Sequence, residues 1–376
     1  VTAVFRLGDR GSTAAQIRAL LHQQGRLPEG PGDEIDRPTE RAIRAFQQSR
    51  GLSVDGIVGP ETWRALQEAS MRLGDRLLMR SVNHPVTGDD VRELQERLSA
   101  MGFDVGRHDG VFGERTELAL ASFQREIGLN SDGQCGPKTL RVLVGFFDKH
   151  IRGGNPHELR EAEAVRRGAP TLAGRTVVID PSHGGEDQGA CRPDGTCERD
   201  IVWDIASRLE GRLLAAGANP VLTRGQHTNP SQAARAELAN ATGAAVAISL
   251  HCEEGSGEGA STFYFGHRAP SRIGSLLADL CQRELVARTD LLDGRTHAMT
   301  WEFLRLTRMP AVRVFVGHLA HPGDAHKLSQ PALRDTVAEA LLVAVQRLVL
   351  PEELDPPTGQ LRLPAGPFAP VSAYTR

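Results

Sequence analysis

Apolar positions along the chain follow two different periods. Up to about residue 147 they recur at helical spacing: Ala14, Ile17, Leu20 and Leu21, then Ala42, Ala45 and Phe46, then Val91, Leu94 and Leu98, then Leu118, Ala121 and Phe123. Beyond Gly174 the pattern changes to short continuous apolar runs, VVI at 177–179 and AAVAISL at 244–250, each closed by polar or glycine-rich sequence. Runs of that length bounded by turn residues predict buried strands. The chain therefore divides into an all-α part and an α/β part. Residues 1–72 and 84–147 read as two small three-helix units, 148–173 as a charged linker with one short helix, and 174–350 as an α/β domain with a mostly parallel sheet flanked by helices. Residues 351–376 are proline-rich, lack periodicity and are predicted to be disordered.

The helical part is a tandem repeat. An offset of 77 residues aligns Ile17 with Leu94, Leu21 with Leu98, Gly25 with Gly102 and Phe46 with Phe123 without a gap. In the same register DGIVGPET (55–62) meets DGQCGPKT (132–139). Ungapped register across two units signals duplicated domains. The shared DGxxGPxT pattern predicts a turn followed by a helix start, with proline at an early helical position. The second unit has a further DGVFG turn at 109–113, where the first has GDEID at 32–36.

The candidate chemistry lies in the α/β part. The strand at 177–179 runs into DPSHGG (180–185), which delivers His183 onto a glycine-rich loop at the strand's C-terminal end. An open α/β sheet places its chemistry there. His251 likewise follows an apolar run. Two imidazoles and the carboxylate of Glu198 at neighbouring strand mouths supply three of the four positions of a catalytic zinc site, the fourth being open to water or substrate. A single histidine after a strand is more often a loop residue, and the glycines have a turn role of their own, since a tight strand-to-loop turn needs positive φ.

Residues 174–350 resemble the catalytic domain of the zinc-dependent N-acetylmuramoyl-L-alanine amidases, which cut the lactyl-peptide amide of peptidoglycan. The family pattern DPGHGGxDxGA is filled by Asp180, Pro181, His183, Gly184, Gly185, Asp187, Gly189 and Ala190, and SxHAN by Ser249 and His251. VLTR (221–224) and RAELAN (235–240) match as well. The resemblance implies Zn2+ held by His183, Glu198 and His251. It also exposes a departure. The family's last strand ends in a glutamate that serves as general base toward the attacking water and acid toward the leaving amine, and here Phe315 occupies that position. Loss of such a group removes roughly 10²–10⁴-fold of rate. Ser182 replaces a glycine, and Glu253 an asparagine. Glu302, Glu253, His318 and His321 are the weak candidates for a substitute base, each more readily read as a capping or surface residue.

The helical units resemble small peptidoglycan-binding domains, which implies peptidoglycan or a muramyl-peptide precursor as ligand. The whole arrangement is similar to an actinobacterial group of amidase-like proteins in which the domain regulates a cytoplasmic precursor-synthesis enzyme under control of a phosphorylated C-terminal tail. Two functions therefore stand: an amidase, and a catalytically impaired regulator.

Composition narrows the setting. Net charge is −3, from 44 basic and 47 acidic residues that are interspersed, so no nucleic-acid footprint is present. No apolar stretch approaches a transmembrane span, and the N-terminal residues lack the pattern of an export signal. The expectation is a cytoplasmic protein, or a wall protein if an upstream signal precedes Val1. Five cysteines form no dense framework and predict free thiols. Cys191 and Cys197, beside Glu198, would close a small disulfide loop in an exported chain or compete for the metal as thiolates.

Overall fold

The computed structural model describes residues 4–28, 32–81, 83–147, 158, 161–163, 165, 170–253, 257–266, 271–350, 355 and 358. They form two compact units, Val1–Arg160 and Glu161–Arg376.

The first unit contains the repeated three-helix bundles. Helices α1 (Ser12–Gln23), α2 (Arg37–Arg50) and α3 (Pro60–Ser70) make the first, and α4 (Asp89–Ala100), α5 (Glu114–Glu126) and α6 (Pro137–Phe147) the second. The periodic positions are the cores: Ile17, Leu21, Ile43, Phe46 and Leu66 in one, Val91, Leu94, Leu98, Leu120 and Phe123 in the other. Asp36 caps α2 by accepting from the Thr39 amide, and Pro60 and Pro137 open their helices where a missing N–H costs nothing.

The repeated motif has a common internal wiring. Gln47 donates to Asp55 Oδ1 (2.7 Å), the Ile57 carbonyl (2.9 Å) and Thr62 Oγ1 (3.2 Å), and accepts from the Gly56 amide (2.9 Å). Gln124 makes the same bonds to Asp132, Gln134, Thr139 and Gly133. Gln95 makes them a third time, to Asp109, Val111, Thr116 and Gly110. Arg18 stands where Gln95 does in the other repeat. It donates to the Glu34 carbonyl (3.1 Å) and to Thr39 Oγ1, and pairs with Asp36 (2.9 Å). The GDEID segment thus departs from DGVFG because an arginine, not a glutamine, joins helix to turn there. The motif glutamines and threonines are buried and internally satisfied, so they hold the fold.

The second unit is an α/β sandwich. Its strands are β1 (Thr176–Pro181), β2 (Asn219–Leu222), β3 (Val246–Glu253), β4 (Ala260–Phe265), β5 (Asp293–Met299) and β6 (Ala311–His318), in sheet order β2-β1-β3-β6-β4-β5. Every pairing is parallel except β4 with β6. Helices α7 (Glu198–Ala215), α9 (Arg272–Arg288) and α12 (Pro331–Val349) share a core with one face of the sheet. There Ile179, Ile248 and Val314 meet Ile205, Leu277 and Leu341. Helices α8 (Gln232–Ala241) and α10 (Glu302–Leu306) cover the other, over Val178, Ala247 and Phe263. Helix α11 (Pro322–Ser329) follows β6. Covered on both faces, the central strands read as unbroken apolar runs.

Two expectations fall at the edges of this description. Most of the linker lies outside the described residues, although 158, 161–163 and 165 are helical. The C-terminal tail also lies outside them, apart from Asp355 and Thr358, both of which accept hydrogen bonds from Arg347.

Candidate metal centre

The parallel register brings the sequence candidates together. β1 and β3 are neighbours, paired from Val177–Val246 to Pro181–Leu250, so the loops after them open at the same sheet edge. Glu198 begins α7, and Gly189 and Ala190 bring the chain back to it. One ligand atom each from His183, Glu198 and His251 lies within 4.8 Å of the others. His183 Nε2 is 3.2 Å from Glu198 Oε2, and His251 Nδ1 is 3.3 Å from Glu198 Oε1.

The loop backbone is shaped for this convergence. His183 itself adopts φ 55°, the left-handed region that a β-carbon disfavours. Three side-chain contacts hold it there. Arg235 donates to the His183 carbonyl (2.7 Å), Arg224 to that of Ser182 (3.1 Å), and Arg199 to that of Gly185 (2.8 Å). Gly189 at φ 64° is required twice over, because a β-carbon would come within 2.7 Å of both Glu198 Oε2 and the His183 ring.

Outer contacts fix the tautomer of each imidazole. Asp187 Oδ1 sits 2.9 Å from His183 Nδ1, so that nitrogen carries the proton and the Nε2 lone pair faces Glu198. Ser249 Oγ donates to buried Asp180 and so accepts from His251 Nε2 at 3.2 Å, which leaves the Nδ1 lone pair facing Glu198. Asp180 is fully buried and is held by Arg235 (2.9 Å), Thr223 and Ser249. Glu198 accepts from Ser182 Oγ (2.8 Å) and from the amides of Ala190 (3.2 Å) and Cys252 (3.0 Å). Ser182, read from the sequence as a departure, thus anchors the central carboxylate.

Electrostatics follow from this burial. Burial opposes ionisation of Glu198, but the adjoining imidazoles of His183 and His251 outweigh it and hold the carboxyl far below its usual range. Burial and the nearby Arg313 bring His251 down to about 4, so its imidazole is neutral at pH 7. Burial also pulls His183 down, yet Glu198 and Asp187 together leave it raised. A buried carboxylate between two imidazoles whose lone pairs converge fits a divalent cation.

The position that the resemblance assigns to the family's glutamate is apolar. Phe315 pairs with His251 across β3 and β6 and packs with Phe263 and Trp301. The substitute candidates lie elsewhere. Among the described residues the trio's group includes none of Glu302, His318 or His321. Glu302 lies in the first turn of α10, and His318 is buried at the end of β6. His321 stands with Glu258 and Asp324 in a separate group. The backbone of Glu253 pairs with His318, while its side chain is outside the described residues.

One expectation is corrected. Cys191 and Cys197 are joined as a disulfide, not free thiols. An antiparallel bridge across the RPDGT turn sets them side by side immediately before Glu198. Cys135, Cys252 and Cys281 are free and buried. Beyond the disulfide a cleft of roughly 380 Å³ opens between Ala190, Cys191, Arg192 and Pro193 on one side and Leu319, Ala320 and Pro322 on the other. No described helix is long and apolar enough to cross a membrane.

The N-acetylmuramoyl-L-alanine amidase family profile matches residues 177–347, and the putative peptidoglycan binding domain profile matches 10–66 and 87–143. The chain is 48% identical over 373 residues to the N-acetylmuramoyl-L-alanine amidase CwlM of Mycobacterium tuberculosis, covering 94% of this chain and 92% of that one. It is 30% identical to the amidase LytC of Bacillus subtilis over 45% of this chain and 34% of LytC. A crystal structure of an N-acetylmuramoyl-L-alanine amidase from Clostridium difficile is 30% identical, with a TM-score of 0.44, over 46% of this chain and 95% of that one.

Proposed function

The chain belongs to the N-acetylmuramoyl-L-alanine amidase family of peptidoglycan metabolism, and from that premise we propose that it recognises the lactyl-peptide amide of a muramyl peptide at a Zn2+ site and hydrolyses it slowly or not at all. The ligands would be His183, Glu198 and His251. Zn2+ held there would supply Lewis acidity toward an amide carbonyl. Ser182, Asp187 and Ser249 orient the three ligands, and the adjoining cleft offers room for substrate beside the disulfide loop.

The observation that carries this reading is Phe315, which packs against His251 at the position where the family places its proton carrier. A phenyl ring transfers no proton, and no member of the trio is free to do so while ligating. The test measures release of stem peptide from a defined muramyl peptide by Zn2+-loaded protein beside His183→Ala, together with binding of the same compound. Tight binding that needs Zn2+, with cleavage near background, is the expected result. Strong cleavage that His183→Ala abolishes would overturn it and make the protein a working hydrolase.

The same substitution favours a second reading, a cytoplasmic regulator that binds an enzyme of precursor synthesis. Cell fractionation and purification of the protein with its partners would test that reading; an extracytoplasmic location would end it. In either case the helical repeats would bind peptidoglycan through residues other than the DGxxGPxT motif, whose side chains are committed to their own turns.

A further inference from the structure

A second group of metal-ligating side chains lies on the other side of the β6 terminus. Glu258 precedes β4, while His321 is the N-cap of α11 and Asp324 lies in that helix's first turn. One ligand atom from each falls within 4.8 Å of the others. His321 Nε2 is 3.8 Å from Glu258 Oε2, and His321 Nδ1 is 3.9 Å from Asp324 Oδ1.

Asp324 distinguishes this group from a chance cluster of surface charges. Its side chain is completely buried. Oδ2 accepts from the amides of Gly259 (2.7 Å) and His318 (3.1 Å), which fixes the carboxylate plane. Oδ1 is buried and finds no hydrogen-bond donor among the described residues. A buried carboxylate oxygen without a donor costs roughly 1–3 kcal/mol, and more when charged, so the fold tolerates it only where something else compensates. His321 Nδ1 accepts from the Asp324 amide at 3.3 Å, which assigns the ring proton of the neutral form to Nε2, on the Glu258 side. Displacement of that proton by a cation leaves the cap intact.

We propose that Glu258, His321 and Asp324 form a second divalent-cation site, distinct from the His183, Glu198 and His251 trio. One imidazole nitrogen with two carboxylate oxygens suits a borderline transition ion such as Zn2+ better than Ca2+, which takes an all-oxygen shell. Ligand bonds of about 2.0–2.2 Å require the Glu258 and His321 side chains to draw in toward Asp324 Oδ1. The half-exposed side chains of Glu258 and His321 can make that movement around a fixed Asp324. The N-terminus of α11 opposes a cation with about half a positive charge, but the two carboxylates outweigh it. Occupancy would tie the chain entering β4 to the turn after β6. Leu319, Ala320 and Pro322 of that turn line the cleft, so the ion would stiffen one of its walls.

The test removes the first site so that it cannot answer for the second. Chelator-treated His183→Ala protein is titrated with Zn2+ by calorimetry, and about one bound ion per chain is expected. Adding His321→Asn keeps a good helix cap and removes the imidazole, so that ion should be lost. Glu258→Gln, at an exposed position, should weaken it without any effect on folding. Failure of His183→Ala to take up Zn2+ would overturn the proposal. So would Zn2+ binding that neither His321→Asn nor Glu258→Gln weakens. The result does not depend on whether the first site binds metal or cleaves a substrate.

Discussion

The Phe315 ring lies 5.3 Å from the His251 imidazole, centroid to centroid, with the planes inclined by 39°. The two residues are register partners across β3 and β6, so the ring is held by the same pairing that presents the histidine. Phe263 at 5.2 Å and Trp301 at 5.9 Å complete an apolar wall around it. A mutation that only deleted the family glutamate would leave a gap here, whereas this position is packed.

The first prediction restores the proton carrier. Phe315→Glu places a carboxyl beside the trio and against apolar rings, where desolvation raises its pKa toward the range a general base needs. Stem-peptide release by the Zn2+-loaded variant should rise by about 10²–10⁴-fold over wild type and should vanish when His183→Ala is added. No gain, in a variant that still binds muramyl peptide, would place the deficit outside position 315.

The second prediction concerns the outer layer. Ser249 links Asp180 to the imidazole of His251 and fixes which nitrogen faces Glu198. Ser249→Ala releases that constraint, and loss of such an outer contact costs about 10–100-fold in metal affinity. Competition against a Zn2+-sensitive dye measures it. An unchanged affinity would mean that burial alone sets the tautomer.

The outer layer is also where the sequence was least legible. His183 and His251 could be proposed because apolar strand ends and a glycine turn announce them, Glu198 only because it falls at the spacing of the family it resembles, and the helical repeats because their apolar period survives duplication. Asp180, Thr223, Arg224 and Arg235 converge from three separate segments, and only folding shows that they serve one loop. VLTR and RAELAN matched the family without a visible reason, and the arginine bonds to the carbonyls of 181–183 supply it. The disulfide was missed because six-residue spacing says nothing about the antiparallel bridge that aligns the two cysteines. The motif glutamines were similarly opaque, since their partners lie in a turn and the helix after it, 8–21 positions away.

Those glutamines give the third prediction. Gln124→Ala takes their partner from the buried Thr139 hydroxyl and Gly133 amide of the second repeat. Leaving buried polar groups without partners should lower the stability of that bundle by about 1–3 kcal/mol, read as an earlier urea transition for this segment. The α/β unit should keep its own transition and its Zn2+ affinity. If peptidoglycan sedimentation fell while the urea transition stayed put, the glutamine would be a ligand contact and not a strut.

The last prediction is the acid stability of the metal-free protein. His251 is neutral in the fold, with its pKa brought down to about 4 mainly by burial, against 6.5 when the chain unfolds. Between those values the unfolded chain binds a proton that the native state refuses, so stability falls as pH drops from 6.5 toward 4. The full loss is on the order of 3 kcal/mol. His183 does not offset this slope. Its folded pKa is raised, so its contribution is already complete below 6.5 and is lost only as pH rises through the folded value. Glu198 works in the same direction as His251 at lower pH, because its depressed carboxyl stabilises the fold above its unfolded pKa and loses that effect as acid titrates it. Thermal melts in chelator from pH 7 to pH 4 should therefore show a steady fall in Tm, which His251→Gln flattens in the upper part of the range. A Tm independent of pH over that interval would mean that His251 already carries its proton in the native state and is not poised to receive a cation.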